Sequence, residues 1–173
     1  MTSSAPKIWQ GRFYEDLDVG DVFSSRFGRT VTDTDNIWFT ALTMNTNPLH
    51  LDGAWAKTNR WGKLLMNSTF TLALITGLSV MDASEHAAAN LEWDEIKLPH
   101  PVFAGDTLYA QSEVLSKRES RSNPDVGIVS IRTRGLNQDG VVVCEFKRSF
   151  MIYKRGAANA MPQFPTPQSD WTI

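Results

Sequence analysis

The residues of this sequence best suited to chemistry lie in the segment Thr43–Asp52, which reads TMNTNPLHLD. Within it, His50 follows the amide side chain of Asn45 by five residues, and an Asn-Pro pair lies between them. Proline fixes its own φ and keeps the preceding residue out of the α region, so the chain bends between the two side chains. A bend allows both to reach one point, where a histidine can accept and return a proton near neutral pH. The spacing therefore predicts a site that activates water.

Composition limits the classes of protein to be considered. With 173 residues, of which 42% are hydrophobic, the chain can form one substantial core, which favours a single domain. The formal net charge of -2 argues against nucleic-acid binding. A single cysteine, Cys144, excludes an intrachain disulfide, no Cys/His spacing fits structural zinc, and no apolar stretch is long enough to cross a bilayer. These features predict a cytoplasmic protein without a metal site and without a membrane or nucleic-acid partner.

The elements that position the segment follow from capping signals and hydrophobic periodicity. Thr32 or Asp33 fits an N-cap, and a helix is predicted from there to about Met44, where the Asn-Pro turn ends it. The run Ser68–Val80 has no clear polar stripe, which predicts a helix buried on all sides. Further predicted elements are a short helix at 53–59 and strands at 88–97, 106–117, 127–136 and 141–154, the last two joined by a hairpin turn at Asn137–Gly140.

One long buried helix followed by four antiparallel strands, with another strand near the N-terminus, predicts an α+β fold. The curved sheet would wrap around the helix of Ser68–Val80, which is the hot-dog arrangement. Residues 1–155 are expected to form this domain, and residues 156–173, which include three prolines, an irregular tail. Arg148 interrupts the apolar face of the last strand, so we expect it at an interface.

The segment around His50 resembles the signature of the MaoC-like or hydratase 2 family, which reads Gly-Asp-x-Asn-Pro-hydrophobic-His-x-Asp. Asn47–His50 and Asp52 match this pattern, whereas Asn45 stands at the position of the catalytic aspartate and Met44 at that of the glycine. Members of the family are hot-dog enzymes that add water to 2-enoyl-CoA thioesters. The resemblance implies an acyl-CoA substrate, no separate cofactor, and at least a homodimer.

Two further blocks extend the resemblance over most of the chain. Asn67–Leu78 is similar to the family's run that opens the central helix, and Lys97–Leu108 to the stretch that enters the third strand. Ser68 stands where the family has a glycine whose amide points at the thioester carbonyl. A helix N-terminus offers unpaired N–H groups, which suits the negative charge of an enolate oxygen, and a backbone amide survives a change from glycine to serine. Ser68 is therefore expected to form the oxyanion hole.

The resemblance assigns roles to individual residues. His50 would act alone as base and then acid, since an amide cannot take the proton, and Asn45 would orient the water through its carbonyl oxygen and hold the histidine or the substrate through its NH2 group. Substrate contacts are expected from Asn47, Trp38, Phe39, Asn67 and Thr76, with Trp61, Leu65 and Phe70 in the pocket wall. The phosphates of coenzyme A could bind Arg60, Lys63, Lys117, Arg118 and Arg121.

The amide at position 45 favours a substrate that carries its own carboxylate, such as mesaconyl-CoA or itaconyl-CoA. An aspartate there would repel it, because two like charges about 4 Å apart at an effective dielectric near 20 interact by roughly 4 kcal/mol. Two other functions fit the same residues. A hot-dog thioesterase would direct water at the thioester carbon and release free coenzyme A, and a non-catalytic homologue would only bind acyl-CoA or a partner.

Overall fold

The computed structural model describes residues 10–160, 165 and 168–169 of the chain. Its strands are β1 (Val22–Ser24), β2 (Arg29–Thr30), β3 (Ala87–Lys97), β4 (Thr107–Glu119), β5 (Val126–Leu136) and β6 (Val142–Tyr153). They pair antiparallel in a six-stranded sheet of order β1-β4-β5-β6-β3, with β2 pairing to β4. The α-helices are α1 (Asp33–Leu42), α2 (Gly53–Ala56) and α3 (Ser68–Ser79). The sheet curves around α3, so the predicted hot-dog fold is confirmed.

The central helix α3 begins at the predicted residue and ends one residue early, where the chain continues as a π-helical turn, Val80–Ser84. Ile75 is fully buried against the inner face of the sheet. The helix approaches β5 closely at Gly135, where an added Cβ would lie 2.6 Å from the Cδ1 atom of Ile75. A side chain at position 135 would therefore push the helix away from the sheet.

The predicted strands are also confirmed, with ends that differ by one or two residues. The turn between β5 and β6 is stabilised by Asn137, whose side-chain Oδ1 accepts hydrogen bonds from the backbone N–H groups of Asp139 and Val141 at 3.0 and 2.9 Å. Gly140 has a φ of 76°, a conformation in which glycine is not strained. The Asp-Gly signal thus marks this hairpin because the turn requires a left-handed residue.

The expectation that α3 is buried on all sides is wrong. Helix α3 exposes a stripe of small residues that includes Ala73 and Gly77, because no other element of the described chain covers that side. Helix α1 buries its polar residues Asn36 and Thr40 and exposes Trp38 (68%) and Leu42 (77%). Its polar face turns inward because it hydrogen-bonds to the chain around His50, as the site geometry shows.

Arg148 lies inside the described chain, 2% exposed, rather than at its surface. The other expected surface feature, the irregular tail of residues 156–173, falls largely outside the described residues.

Strand β3 forms an open edge of the sheet. It pairs with β6 on one side only, and Leu91, Trp93 and Ile96 are between 41% and 49% exposed. An exposed edge with apolar side chains is a template for pairing with another chain. No helix in the described part of the chain is long and apolar enough to cross a membrane.

Candidate active site

His50 closes a short 3₁₀ turn, Pro48–His50, that follows the predicted Asn-Pro bend. Asn47 caps the turn, since its side-chain Oδ1 accepts a hydrogen bond from the Leu49 amide at 3.0 Å. His50 is 6% exposed, and its Nδ1 lies 2.8 Å from the carbonyl oxygen of Leu65. A carbonyl can only accept, so Nδ1 carries the hydrogen and the lone pair of the neutral ring stands on Nε2. This tautomer presents Nε2 as a base.

A buried hydrogen-bond network ties the His50 turn to the start of α3. The Asn36 Nδ2 group donates to the carbonyl oxygens of His50 and Leu65 at 3.0 and 2.9 Å. The Asn36 Oδ1 atom accepts from the Asn67 amide at 2.8 Å, and the Asn67 Nδ2 group donates to the Thr40 hydroxyl at 3.2 Å. We call Asn36, Thr40, His50 and Asn67 the N-terminal network. None of the four side chains carries a permanent charge, and all four are hydrogen-bonded, which makes the arrangement rigid.

Asn45 lies directly after the end of α1. Met44 has a φ of 56°, a left-handed conformation that favours glycine. The MaoC-like signature has a glycine at this position. The Asn45 Oδ1 atom accepts a hydrogen bond from the Asn47 amide at 3.0 Å. Among the described residues its Nδ2 group has no acceptor, so the free group of this side chain is the donor. The expected orientation of water through the carbonyl oxygen is therefore less favoured than donation through Nδ2.

The N-terminus of α3 provides unpaired amides next to this network. Asn67 caps the helix, with its Oδ1 accepting from the amide and hydroxyl of Thr69 at 3.0 and 2.7 Å. The Ser68 amide has no acceptor within the part of the chain that the structure describes, and a helix of 12 residues contributes a positive potential there. Ser68 follows Leu65 by three residues, a span of at most about 11 Å. Asn36 joins the His50 turn to the start of α3, because it contacts the His50 and Leu65 carbonyls and the Asn67 amide.

A cavity of ≈ 250 Å³ opens beside the helix N-terminus. Ser68 and Thr71 of α3, Leu65 and Met66 of the preceding segment, and the loop 98–102 form most of its wall. Arg60 and Trp61 line it as well, and Val143 completes the apolar part. A cavity that combines apolar side chains with polar groups can hold a small molecule.

Several residues that were expected to contact the substrate do not line this cavity. Thr76 donates to the Leu72 carbonyl at 2.9 Å and lies about 12 Å along α3 from Ser68. Phe39 packs edge-on against Phe70 with ring centroids 5.5 Å apart, while Trp38 is exposed. Of the expected substrate contacts, none of Asn47, Trp38, Phe39, Asn67 and Thr76 lines the cavity.

The five expected phosphate-binding cations fall into two groups. The Arg60 guanidinium lies 4.2 Å from the Trp61 ring and the Lys63 Nζ 4.0 Å from the Phe103 ring, near the cavity. Lys117 lies toward one end of β4, where it pairs with Val129. The cavity residue Val143 lies near the other end, since the next residue of β6 pairs with Gly135, which in turn pairs with Ala110 of β4. These two positions on β4 are roughly 23 Å apart. Arg118 follows Lys117 on β4, and Arg121 lies in the loop after that strand.

Sequence reasoning missed Asn36 and Thr40, which hold the site together, and the loop around His100. A signal for the first two was present, because Asn36 and Thr40 are polar residues four apart and so share one face of the predicted helix, apart from its apolar positions. His100 lines the cavity, and its Nδ1 lies 2.8 Å from the Val142 carbonyl oxygen. Its contact with β6 depends on the fold and has no local signal.

Comparison with known proteins gives a consistent picture. The family model described as mesaconyl-CoA hydratase matches residues 4–168. A mesaconyl-CoA hydratase from Cereibacter sphaeroides is 34% identical over 91% of this chain and 46% of its own length. An (R)-specific enoyl-CoA hydratase from Aeromonas caviae is 30% identical over 74% of this chain and 90% of its own length. A solved MaoC domain protein dehydratase from Chloroflexus aurantiacus J-10-fl has a TM-score of 0.78 and 27% identity, over 94% of this chain and 46% of that one.

The chain thus spans about half the length of the curated mesaconyl-CoA hydratases that it matches.

Proposed function

The chain belongs to the mesaconyl-CoA hydratase family, and we propose that it adds water reversibly across the α,β double bond of an enoyl-CoA thioester that carries a second carboxylate. Mesaconyl-CoA and itaconyl-CoA are examples of this class. The observation that carries the proposal is the fixed tautomer of His50, whose Nε2 is left as a base on a turn that Asn36 joins to the start of α3, where the Ser68 amide is unpaired. The mesaconyl-CoA hydratase similar to this chain supports the substrate class.

The geometry supports a one-base mechanism. Nε2 of His50 removes a proton from water, and the water oxygen forms a bond to the β-carbon while the thioester becomes an enolate. The Ser68 amide and the positive end of α3 stabilise the enolate oxygen. The His50 imidazolium then returns a proton to the α-carbon, which regenerates the base. General acid-base catalysis by such a group contributes about 10²–10⁴-fold.

Asn45 supports the choice of a carboxylated substrate. Its Oδ1 is engaged by the Asn47 amide, so Nδ2 is the group that can donate to the attacking water. The amide adds no negative charge to a site that must accept a second carboxylate. An aspartate could accept the proton of the water but would also repel such a substrate.

We propose a homodimer as the assembly. Each copy would place its open β3 edge and the exposed Ala73 and Gly77 stripe of α3 against its partner, which would cover the apolar side chains of that edge. Relatives of about twice this length support such a pairing, since this chain matches only half of them. Light scattering of the purified protein gives the mass of the assembly directly.

The activity test is to incubate the protein separately with crotonyl-CoA, mesaconyl-CoA and itaconyl-CoA. Mass spectrometry follows the gain of one water, and a thiol reagent follows the release of coenzyme A in parallel. We expect hydration of a carboxylated substrate in preference to crotonyl-CoA, without thiol release. Thiol release would identify a thioesterase instead, and binding without turnover would identify an acyl-CoA-binding protein.

A further inference from the structure

The cavity beside α3 has an unbalanced charge. Arg60 is the only permanently charged side chain among the residues that line it, and no aspartate or glutamate is among them. The N-terminus of α3 adds a positive potential from the side of Ser68. Much of the remaining wall is apolar, including Leu65, Met66 and Val102. An anion would therefore be attracted to this cavity, where Arg60 is exposed and accessible to a ligand.

The Arg60 guanidinium is oriented but not neutralised. It lies 4.2 Å from the ring centroid of Trp61, and Trp61 packs edge-on against Phe103 with centroids 5.8 Å apart. This aromatic support restrains the guanidinium and leaves its N–H donors free. Within the described ranges of the chain, Arg60 makes no ion pair and no hydrogen bond.

Three other arginines of the protein form ion pairs, unlike Arg60. Arg29, Arg132 and Arg155 each lie within 2.6 Å of a carboxylate oxygen, at Asp35, Glu113 and Asp16. Arg60 thus differs from them in having its binding capacity unused at the wall of a cavity.

We propose that Arg60 binds the free carboxylate of the acyl group and so selects dicarboxylic thioesters over uncharged ones. The inference rests on the proposed function and deepens it by naming the residue that recognises the substrate class. Guanidinium and carboxylate match in geometry and form two parallel hydrogen bonds. Arg60 and Ser68 line one cavity, so a thioester whose carbonyl meets the Ser68 amide has room to place its acyl group at the guanidinium, while His50 lies outside the lining on the turn that precedes it. The phosphates of coenzyme A, in contrast, lie beyond the pantetheine arm.

The first test compares binding by the wild-type protein with binding by R60M, in which a side chain of similar length lacks the charge. Methylsuccinyl-CoA and 2-methylbutyryl-CoA are suitable probes, because both are saturated and differ by the carboxylate. A hydrogen bond to a charged group contributes about 1.5–3 kcal/mol, so Kd for methylsuccinyl-CoA should rise about 10- to 150-fold in R60M. Kd for 2-methylbutyryl-CoA should stay within about threefold, since the coenzyme part is unchanged.

The matched control is K57M. Lys57 follows the end of α2, three residues before Arg60, is exposed and does not line the cavity. We expect this variant to bind both probes as the wild type does. Equal weakening of both probes in R60M would show that Arg60 holds the coenzyme and would overturn the proposal, as would unchanged binding of methylsuccinyl-CoA.

A second readout separates this inference from the proposed function. The specificity constants for mesaconyl-CoA and tiglyl-CoA, in which a methyl group replaces the carboxylate, are measured for wild type and R60M. The expected result is a loss confined to mesaconyl-CoA. Hydration of mesaconyl-CoA by R60M at the wild-type rate would refute the role of Arg60 and leave the hydratase proposal intact. If the wild type hydrates nothing but binds methylsuccinyl-CoA through Arg60, the hydratase proposal fails and the recognition stands.

Discussion

The two ends of α3 hold buried polar groups in opposite ways. At its start, the N-terminal network consists of neutral side chains whose hydrogen bonds range from 2.8 to 3.2 Å. At its end, the Arg148 guanidinium is buried with the hydroxyls of Ser79 and Ser84 and the Asn90 side chain, at 3.4, 2.8 and 3.3 Å. We call these four residues the C-terminal cluster. Its Arg148 Nε has no acceptor within the described residues.

The difference concerns what each group does for the fold. Neutral groups with satisfied hydrogen bonds hold a loop in one position at little electrostatic expense, which suits the placement of His50. A buried cation without a carboxylate partner is disfavoured, and burial lowers the pKa of Arg148 to about 10. The arrangement at the two ends therefore indicates that the first holds the proposed base, His50, in position and that the second contributes little to stability.

The largest expected effect on the free energy of unfolding is that of N36L in the N-terminal network. Leucine is similar in shape but leaves the carbonyls of His50 and Leu65 and the Asn67 amide without their partner. We expect the free energy of unfolding to fall by about 3 kcal/mol, because buried groups lose their hydrogen bonds. Urea unfolding measures this loss, and hydration assays on the folded fraction should show a lower kcat. A variant as stable and active as the wild type would remove the network from the account of the site.

The matched change in the C-terminal cluster is R148M. Methionine removes a penalised charge and fills a similar volume, so we expect stability at pH 7 to change by less than about 1 kcal/mol. Hydration should stay within about threefold, since the cluster is far from His50. A loss as large as that of N36L would show that the two ends are equivalent and would break the comparison.

The pH dependence of stability, compared between wild type and R148M, gives a further test. The pKa of Arg148 is lowered in the folded protein to about 10, below its ordinary value, so charging it opposes folding. This penalty is fully present at neutral pH and is relieved as the pH rises above 10. Wild type should therefore gain stability relative to R148M above pH 10, in urea unfolding at matched ionic strength. A stability difference that is independent of pH would contradict the assignment.

A modest effect on stability is expected for M44G, beside the N-terminal network. Met44 has a φ of 56° and is 83% exposed, so glycine relieves a left-handed conformation without removing packing. We expect a stabilisation of about 1 kcal/mol. A41G in the exposed part of α1 is the control and should destabilise by a similar amount, because glycine weakens a helix interior. Destabilisation by M44G would mean that the methionine side chain makes contacts that support the turn.

The elements of the fold were predictable because their signals are local. The apolar run of α3, the alternation in β6 and the Asp-Gly hairpin each depend on residues within one element. The His50 turn was predictable for the same reason, since proline and a capping asparagine determine it.

Features that depend on distant contacts were not predictable. Asn36 reaches Asn67 over 31 residues, and Arg148 reaches Ser84 over 64 residues. Neither contact leaves a periodic pattern in the sequence. The position of Lys117 depends in turn on the register of β4 with β5, which composition does not determine. The fold and the histidine could therefore be read from the sequence, whereas the supporting network and the charged wall of the cavity required the structure.

The most direct test of the account is the kcat/KM for mesaconyl-CoA hydration by wild type and H50Q. Glutamine keeps a hydrogen-bonding side chain of similar size but cannot accept and return a proton. We predict a fall of about 10²–10⁴-fold in H50Q, with the affinity for methylsuccinyl-CoA within about threefold of wild type. Hydration by H50Q at a rate within about threefold of wild type would contradict the central claim that His50 transfers the proton.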